Sequence, residues 1–261
     1  MAQILALSSQ VARGHVGLAA TVPALQSLGH EVWALPTVVF ASRPGLGRLA
    51  KAALPAPELA AMLAALEADG CWRELAAVFT GYFPSAASVA AAAAAIGRAK
   101  AANPKLVVCV DPVLGDAGRL YVSPATAAAV RDQLLALATV TTPNRFELGW
   151  LTGAPDEDLD LAQRARQLGV EAVVVTSATR DRHSVTTALI TAAAVNERAL
   201  SHRAGIPNGA GDLYAGLLLG RLVNGEPAVA AFANALDGLD WVLAASEHKS
   251  VLALEALPRR P

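Results

Sequence analysis

The chain has 261 residues, of which 54% are hydrophobic and 16% are charged, so it can bury one large α/β core or two small ones. The formal net charge is −1 and no long run of Lys or Arg occurs, which argues against nucleic acid as the main partner. The amino-terminal stretch lacks the basic region of a signal peptide, and no uninterrupted apolar run reaches the roughly 20 residues of a membrane span. We therefore expect no membrane partner and a cytoplasmic location.

Short apolar runs alternate with longer helical segments along the chain. The predicted strands lie at residues 3–8, 31–40, 75–82, 105–112, 138–144 and 171–178, with two more in a meander within 184–202. The predicted helices lie at residues 16–29, 57–70, 85–102, 123–137, 144–153 and 158–169, with two more that begin near Gly209 and Pro227. Ser123 as the cap and Pro124 at the first position indicate the start of the helix at 123–137, and Pro36 indicates an edge or a break in the strand at 31–40. Repeated strand–helix units with near-continuous apolar strands predict an α/β fold with a parallel sheet covered on both faces. No linker and no internal repeat interrupts the pattern, so we expect one domain over residues 1–261.

The two cysteines are far apart in sequence, and each lies in or beside an apolar run. Cys71 and Cys109 are therefore interpreted as two buried free thiols rather than a disulfide. Free thiols fit a reducing cytoplasm.

Polar residues follow the predicted strands at the points where these strands end. They are Ser8, Ser9, Thr80, Gly81, Tyr82, Asp111, Asn144, Thr176 and Ser177. Ligands of parallel α/β sheets bind at the carboxyl ends of the strands, so these residues predict one shared site above apolar strand bodies.

Residues 209–212, with the sequence GAGD, place three small residues before an acid at the predicted start of a helix. The first N–H groups of a helix have no partner within it, and the helix dipole favours negative charge there. Small residues would let a phosphate oxygen approach these groups, and Asp212 could then accept a proton from a substrate hydroxyl. The alternative is that Asp212 only caps the first turn while the glycines allow close packing.

Two further stretches carry carboxylates. Asp111 and Asp116 fall within residues 109–124, where they could hold a hard cation or simply form turns. Asn144 and Glu147 have the spacing of a capping box at a predicted helix start. A capping Glu can still bind a metal-bound water, so both interpretations of Glu147 are open.

Several common site motifs are absent from the sequence. No phosphate loop G-x-x-x-x-G-K-[ST] occurs, and no G-x-G-x-x-G follows the first strand. The five His and two Cys show no metal-ligand spacing, and Ser177 lacks the G-x-S-x-G context of a serine hydrolase. His15 is interpreted as a helix-start residue rather than a catalytic base.

Taken in order, the motifs resemble one family over nearly the whole chain. The chain is similar to the pyridoxal kinases of the ribokinase-like superfamily in the order and approximate spacing of SSQVARGHVG (8–17), FTGY (79–82), VDPVLGD (110–116), TPNRFEL (142–148), VVVTSA (173–178) and GAGD (209–212). GAGD marks the superfamily, whereas DPVLGD with TPNRFEL is more specific for vitamin kinases. The resemblance implies a single-domain, three-layer α/β/α ribokinase-like fold and favours the chemical interpretations above.

The resemblance also implies catalytic, metal-binding and nucleotide-binding roles. Asp212 would take the proton from the substrate's hydroxymethyl group, and Asp111 and Glu147 would organise Mg²⁺, mostly through water. The anion hole would be formed by the backbone N–H groups of Gly209, Ala210 and Gly211. The ATP side would be lined by Asp111, Asp116, Tyr121, Thr142, Asn144, Glu147, Thr176 and Ser177.

On the substrate side, the resemblance implies contacts from Ser9, Thr37, Arg43 and Tyr82. Ser9 would bond substituents of the pyridine ring, and Tyr82 would stack on the face of that ring. Arg43 would either contact a ring oxygen or lie solvated in its loop.

The chain departs from the family pattern in this substrate region. Many pyridoxal kinases carry FSNHT where this chain has FASRP at residues 40–44. Pro44 therefore replaces a Thr that helps to hold the ring, and Arg43 replaces a His. Pro84 stands where a polar or basic residue is frequent. These changes touch substrate recognition and leave the transfer residues intact.

We therefore expect an ATP- and Mg²⁺-dependent kinase for the 5′-hydroxymethyl group of pyridoxal, with pyridoxine and pyridoxamine as further candidate substrates. The nearest alternative is a kinase for hydroxymethylpyrimidine, although such enzymes usually carry Cys at the position of Asp212. Another small-alcohol kinase and a non-catalytic protein that binds B6 vitamers are also open. The family implies a homodimer and admits a monovalent cation.

Overall fold

The computed structural model describes residues 1–46, 48, 50–153 and 160–257. The strands are β1 (Gln3–Val11), β2 (Glu31–Phe40), β3 (Lys51–Ala53), β4 (Leu75–Thr80), β5 (Val107–Val110), β6 (Gly115–Asp116), β7 (Arg119–Leu120), β8 (Val140–Thr141), β9 (Ala172–Arg180), β10 (Ser184–Thr191) and β11 (Val195–Ser201). The α-helices are α1 (Leu18–Ser27), α2 (Ala56–Ala68), α3 (Ala86–Ala102), α4 (Pro124–Ala129), α5 (Arg145–Leu151), α6 (Leu161–Gln167), α7 (Ala210–Val223) and α8 (Ala228–Ala245).

Nine strands form one sheet in the order β11-β10-β9-β8-β5-β4-β1-β2-β3. The six strands from β9 to β2 run parallel, and β10, β11 and β3 extend the sheet antiparallel at its two sides. The strands β6 and β7 form a separate antiparallel hairpin. The predicted largely parallel sheet is confirmed, and the carboxyl ends of its six parallel strands meet at one edge.

Helices cover both faces of the sheet, which explains why the central strands are apolar on both sides. Along β1, Leu5 and Leu7 are buried in a core that includes residues of α2 and α3. Their neighbours Ile4 and Ala6 are buried in the second core, which includes residues of α1, α7 and α8. This alternation follows from the two-residue period of a strand. The predicted three-layer α/β/α fold is confirmed.

The close packing of α1 against α7 depends on a glycine. A Cβ atom at Gly216 would lie 2.9 Å from the Cβ of Ala24 and 3.0 Å from the carbonyl oxygen of Thr21. Only glycine therefore fits at this helix contact without moving the neighbouring helix. The contact fixes α7 on the sheet, with its amino terminus at the edge where the parallel strands end.

Strand β2 contains a bulge that the sequence did not predict. Its register with β1 pairs Ser8 with Pro36 and Ser9 with Val38, so Thr37 is an extra residue. A bulge bends its strand and redirects side chains, and here both Thr37 and Val38 are buried. The bulge also lets the strand continue past Pro36, where the sequence predicted an edge or a break.

The predicted helix over residues 123–137 begins as expected but does not stay α-helical. Ser123 caps it by accepting a hydrogen bond from the N–H of Thr126 at 3.1 Å, and Pro124 occupies the first position. After α4 the chain continues through one π turn at Val130–Leu134 and a 3₁₀ turn at Leu135–Leu137. Hydrophobic periodicity does not separate these helix types.

Other differences concern element ends and short strands. The first strand extends beyond the predicted 3–8 to Val11, and the small hairpin of β6 and β7 and the short strand β3 were not predicted. The helix predicted over 158–169 corresponds to α6, and residues 158 and 159 lie outside the described residues.

One helix, α8, is long and apolar enough to cross a membrane by length and composition alone. Asp237 and Asp240 lie within this helix and interrupt its apolar run. Asp237 pairs with Arg198 of β11, and Asp240 pairs with Arg203. Core helices of soluble proteins pass the same test, so this composition is weak evidence for a membrane span.

Both cysteines are free, as predicted. Cys109 lies fully buried in β5, whereas Cys71 is only half-buried.

Candidate active site

Helix α7 is preceded by a glycine, Gly209, that no residue with a side chain could replace without moving the neighbouring backbone. Gly209 has a φ of 113°, and a Cβ atom there would lie 1.9 Å from the carbonyl oxygen of His15. No side chain caps this helix start, and a Cβ atom at Gly211 would meet nothing within 4 Å. The first backbone N–H groups of α7 therefore have no side-chain cap, and the helix dipole makes this end of the helix attractive for an anion.

Asp212 lies in the first turn of α7 and is half-buried. Burial raises the pKa of its carboxyl to about 6, although hydrogen bonds from the backbone N–H groups of Gly17 and of Asp212 itself lower it. A carboxylate with this pKa is ionised at neutral pH and is a stronger base than an ordinary Asp.

Asp111 follows β5 and is 7% exposed. Its pKa is raised to about 8, first by burial and second by the negative charge of Asp212. The hydroxyl of Thr142 donates to its Oδ1 at 3.0 Å, which lowers the pKa in part. The two aspartates therefore lie close together, although 101 positions separate them in sequence.

Glu147 is 4% exposed and closes a capping box with Asn144 at the start of α5. Its Oε2 accepts from the N–H of Asn144 at 2.8 Å, and its Oε1 accepts from the N–H groups of Leu114 at 2.9 Å and Gly115 at 3.3 Å. The pKa of Glu147 is raised well above its ordinary value by burial and then by the charge of Asp111. The capping interpretation is confirmed, and the same side chain ties α5 to the turn after β5.

Asp111, Asp212 and Glu147 together concentrate negative charge at the carboxyl ends of β5 and β8. Among the described residues, no group of three His, Cys, Asp or Glu side chains is arranged to hold a metal ion by itself. Both oxygens of Glu147 already accept backbone hydrogen bonds, so this residue suits a water-mediated contact. Asp111, whose Oδ1 is bonded by Thr142, offers a carboxylate that a divalent cation would stabilise in its ionised form.

Residues 176–178 of β9 leave the regular strand. On β10, Thr186 pairs with Thr179 and Ala188 pairs with Val175, so three residues of β9 lie opposite one residue of β10. Ser177, within this bulge, has a φ of 50°, which is rare for a residue with a side chain. Thr176 is bridged to Asn144, and its N–H donates to the carbonyl of Pro143 at 2.9 Å. The predicted nucleotide residues Thr176 and Ser177 therefore adjoin the start of α5.

Asp116 and Tyr121 lie on or beside the hairpin of β6 and β7. Asp116 is exposed, and its Oδ1 accepts from the N–H of Ala117 at 2.7 Å within the turn. Tyr121 is 51% exposed, and its pKa is raised by burial and by the charges of Asp116 and Glu147. The turn interpretation of Asp116 is confirmed, and the hairpin adjoins the carboxylates.

On the other side of the site, the backbone of Tyr82 is held at both of its polar groups. Its N–H donates to the hydroxyl of Ser8 at 3.0 Å, and its carbonyl accepts from the hydroxyl of Thr37 at 2.7 Å. A Cβ atom at Gly81 would lie 2.4 Å from the Ser8 hydroxyl, so the strand end needs glycine there. The Tyr82 ring meets the ring of Phe40 edge-on, with 6.1 Å between centroids.

Ser9 and Arg43 lie near the loop at residues 12–17. Ser9 is 7% exposed, and a Cβ atom at Gly17 would lie 2.5 Å from its hydroxyl. Arg43 is half-buried, and its guanidinium donates to the carbonyls of Pro44 at 2.9 Å and Ser250 at 2.6 Å. The Arg43 side chain is therefore held within its loop by two backbone carbonyls.

Comparisons with known sequences identify the family of this chain. The family model described as phosphomethylpyrimidine kinase matches residues 14–254. The pyridoxal kinase PdxY of Corynebacterium diphtheriae is 33% identical over 239 residues, which cover 88% of this chain and 84% of that one. The chain belongs to the pyridoxal kinase family.

Two further members show how far the likeness extends. The pyridoxal kinase PdxY of Rubrobacter xylanophilus is 36% identical over 234 residues, which cover 85% of this chain and 80% of that one. The solved structure of pyridoxal kinase from Leishmania donovani in complex with ADP and pyridoxamine superposes with a TM-score of 0.89 and 26% identity, covering 98% of this chain and 94% of that one. The chain therefore has the fold of a pyridoxal kinase over nearly its full length.

Three contacts around the site were not predicted from the sequence. The N–H of Gly17 donates to the carboxylate of Asp212, and the carbonyl oxygen of His15 lies against Gly209. The hydroxyl of Ser8 accepts a hydrogen bond from the N–H of Tyr82. These contacts join loops that are distant in sequence, so no local pattern reveals them. The pair Gly14 and Gly17 on either side of His15 was the available signal, because paired glycines often mark a close backbone approach.

Proposed function

We propose that this protein transfers the γ-phosphoryl group of ATP to the 5′-hydroxymethyl group of pyridoxal, giving pyridoxal 5′-phosphate in vitamin B6 salvage. Relatives that share about a third of its residues are pyridoxal kinases, and the Leishmania structure is a complex with ADP and pyridoxamine. The observation that carries the proposal is the carboxylate of Asp212 at the open amino terminus of α7, close to Asp111. Pyridoxine and pyridoxamine are proposed as further substrates.

Asp212 is proposed as the catalytic base. It accepts the proton of the substrate hydroxyl while that oxygen forms a bond to the γ-phosphorus of ATP. The bond between the γ-phosphorus and the bridging oxygen breaks in line, and ADP leaves with the electron pair. The pKa of Asp212, about 6, suits this role, because the side chain is ionised at neutral pH and still basic enough to accept a proton.

The start of α7 is proposed as the anion hole. The backbone N–H groups involved are those of Gly209, Ala210 and Gly211. They point toward charge that grows on the transferring group, and they need no rearrangement during the reaction. The open space over Gly211 and the missing side-chain cap support this assignment.

Asp111 and Glu147 are proposed to hold Mg²⁺, with Glu147 acting through water. The ion would supply positive charge that offsets the phosphate oxygens. The raised pKa values of these two carboxyls support the proposal, because buried neighbouring acids favour a bound cation. Thr142 orients Asp111, and Asn144 orients Glu147. A monovalent cation is proposed as a second requirement, to be tested by exchanging K⁺ for Na⁺ at constant ionic strength.

The nucleotide is proposed to lie along the ends of β5, β8 and β9. The proposed ATP-binding residues are Asp111, Asp116, Tyr121, Thr142, Asn144, Glu147, Thr176 and Ser177. The bulge at residues 176–178 supports the assignment, because it interrupts the ladder with β10 next to the start of α5.

The acceptor is proposed to lie between Ser9 and Tyr82. The ring of Tyr82 stacks on the pyridine face, and the hydroxyl of Ser9 bonds a ring substituent. Thr37 acts through Tyr82, because its buried hydroxyl already donates to the Tyr82 carbonyl. Arg43 shapes the pocket through its loop, because backbone carbonyls occupy its guanidinium.

The second candidate substrate is hydroxymethylpyrimidine, which the description of the matching family model favours. Like pyridoxal, it presents a hydroxymethyl group on a flat nitrogen-containing ring. The same stacking residue and the same base could therefore serve both alcohols.

The test is ATP turnover by purified protein with Mg²⁺ and, in parallel, pyridoxal, pyridoxine, pyridoxamine or hydroxymethylpyrimidine. The proposal expects the highest kcat/KM with a B6 vitamer and ADP formation that depends on the alcohol. Turnover with hydroxymethylpyrimidine alone would replace the substrate and keep the mechanism. Absence of turnover with all four alcohols would overturn the proposed function.

We further propose that residues 1–261 form one kinase domain and that the protein is a soluble cytoplasmic homodimer. The nine-stranded sheet, which includes strands from both halves of the chain, supports a single domain. An apolar groove of about 310 Å³ between β2 and α2, lined in part by Trp33, Leu35 and Met62, is the proposed contact with the second copy. Light scattering of the wild type and of Met62→Glu tests this assignment, with a monomeric wild type as the contradicting result.

A further inference from the structure

The loop at residues 12–17 touches the proposed machinery at three points. The N–H of Gly17 donates to the carboxylate of Asp212, and Gly17 also packs against Ser9. The carbonyl oxygen of His15 lies against the α-carbon of Gly209, where a Cβ atom would be only 1.9 Å away. The position of this loop therefore decides where the base and the anion hole are held.

The loop itself contains two glycines with positive φ, Gly14 at 108° and Gly17 at 56°. Glycine allows these conformations but does not favour them over others, so such a loop needs outside support to stay in one shape. The chain supplies that support from its carboxyl-terminal part, residues 250–252.

The first support is a hydrogen bond between His15 and Leu252. The Nδ1 atom of His15 lies 2.7 Å from the carbonyl oxygen of Leu252. A carbonyl only accepts hydrogen bonds, so Nδ1 carries the proton and donates it. This bond joins residues that are 237 positions apart.

The second support comes from Arg43. Its side chain covers Gly14, where a Cβ atom would lie 2.8 Å from the Arg43 Cγ. Its backbone N–H donates to the carbonyl of Arg13 at 2.9 Å, and its Nη2 donates to the carbonyl of Ser250 at 2.6 Å. Arg43 therefore joins the loop to the same carboxyl-terminal residues that His15 reaches.

The carboxyl-terminal residues are fixed in turn. The hydroxyl of Ser246 donates a hydrogen bond to the carbonyl of Val242 in α8 at 2.6 Å. The same hydroxyl accepts a hydrogen bond from the N–H of Ala253 at 2.8 Å. Leu252 is fully buried in the core that contains α7 and α8. The two accepting carbonyls thus lie on a firmly anchored segment.

We propose that His15 and Arg43 are positioning residues that fasten the loop at 12–17 to residues 250–252, so that the Gly17 amide stays on Asp212 and His15 stays against Gly209. The inference rests on the proposed function, since it assigns these residues to the base and the anion hole. It also assigns a role to Arg43, which stands where many pyridoxal kinases carry His, without requiring that Arg43 contact the substrate ring.

The test compares His15→Ala with His15→Asn. Alanine removes the donor, whereas the Asn side-chain amide can place a donor near the position of Nδ1. We expect His15→Ala to lower kcat with pyridoxal about tenfold through misplacement of the base, with little change in the KM for ATP. We expect His15→Asn to recover most of that loss.

His30→Ala is the matched control. A ring nitrogen of His30 also bonds a backbone carbonyl, that of Gly220 at 2.8 Å, near the opposite end of α7. This variant should lose thermal stability and keep its kcat. Equal losses of kcat in His15→Ala and His30→Ala, or a wild-type kcat in His15→Ala, would overturn the inference.

Arg43→Ala tests the second support independently of His15, and Arg198→Ala is its control. Arg198 also donates to a backbone carbonyl, that of Ala233 at 2.9 Å, but it joins β11 to α8. We expect a lower kcat for Arg43→Ala only, and a wild-type value there contradicts its assigned role. If the wild type turns over another alcohol instead of a B6 vitamer, the same variants are compared with that alcohol. An error in the proposed substrate is therefore distinguished from an error in the roles inferred for His15 and Arg43.

Discussion

The carboxyl of Asp111 lies close enough to that of Asp212 for the charge of Asp212 to raise its pKa, after burial, to about 8. Burial also raises the pKa of Asp212, to about 6. At neutral pH Asp212 is ionised and Asp111 resists ionisation beside it, so both carboxyls become ionised together only when a positive charge is supplied from outside. A divalent cation is the expected counter-charge, and its effect on stability can be measured.

In the absence of Mg²⁺, thermal stability should fall as the pH rises from about 5 to 8.5. A carboxyl with an ordinary pKa near 4 in the unfolded chain, raised when folded, stabilises the protein fully at low pH. That contribution is lost as the pH rises through about 6 for Asp212 and about 8 for Asp111. Melting temperatures in EDTA, with and without excess Mg²⁺, measure this loss, and Mg²⁺ should restore more stability at pH 8 than at pH 5.5.

Asp111→Asn is the control for that experiment, because it removes the higher of the two titrations. Its melting temperature in EDTA should fall less between pH 7 and 8.5 than that of the wild type. A wild-type melting temperature that rises over this range would contradict the assigned pKa directions.

The rate should depend on the ionised form of Asp212. We expect kcat/KM for pyridoxal to fall as the pH drops through about 6, where the base becomes protonated. Asp212→Asn should lower kcat by about 10²- to 10⁴-fold, the range for loss of a general base, with a small change in KM. Steady-state kinetics between pH 5 and 8 measure both effects. A normal kcat in Asp212→Asn would remove Asp212 from the mechanism.

Glu147→Gln should destabilise the protein by about 2 kcal/mol, because a buried N–H would lose its acceptor. The carboxylate accepts from three backbone N–H groups, of Leu114, Gly115 and Asn144. An amide has only one oxygen, so its NH₂ group must face at least one of these donors. Urea unfolding measures the change. Glu67→Gln, at a surface pair with Arg98, should change stability by less than about 1 kcal/mol.

Tyr214→Phe should raise the free energy of unfolding by about 1 kcal/mol, since an unsatisfied buried hydroxyl is costly. Tyr214 is 1% exposed in α7, and its hydroxyl has no hydrogen-bond partner among the described residues. Urea unfolding of the variant and the wild type tests this directly. A destabilised variant would mean that the hydroxyl has a partner in solution, such as a buried water.

Thr37→Val should raise the KM for pyridoxal about three- to tenfold, as expected for one hydrogen bond of about 1 kcal/mol, and leave the KM for ATP unchanged. The Thr37 hydroxyl holds the Tyr82 carbonyl, and Val keeps the shape without the donor. Thr37→Ser should restore the wild-type value. Thr152→Val also removes a hydroxyl that donates to a carbonyl, but at the far end of α5, and the same rise in KM there would refute the specific role of Thr37.

Much of the fold was predictable because its signals are local. Ser123 and Pro124 marked a helix start, and Asn144 with Glu147 marked a capping box, because both signals depend on residues within one turn of each other. The rule that ligands bind at strand ends brought Asp111 and Asn144 to one edge without any knowledge of their distance. Continuous apolar strands predicted the covered sheet.

What was missed depends on contacts between distant segments. The bulge at Thr37 arises from the register between β1 and β2, and the bond from His15 to Leu252 joins the two ends of the chain. Hydrophobic periodicity carries no information on either. The π turn at Val130–Leu134 was missed for a different reason, because its apolar spacing also suits an α-helix.

The two halves of the site come from different parts of the gene. Ser8, Ser9, Thr37 and Tyr82 precede residue 83, and the residues proposed for phosphoryl transfer all follow residue 110. The same amino-terminal stretch also holds Gly17, whose N–H donates to Asp212, and His15, whose carbonyl oxygen lies against Gly209. A library that retunes the acceptor pocket should therefore keep residues 12–17 and Arg43 fixed and vary only the positions that face the ring.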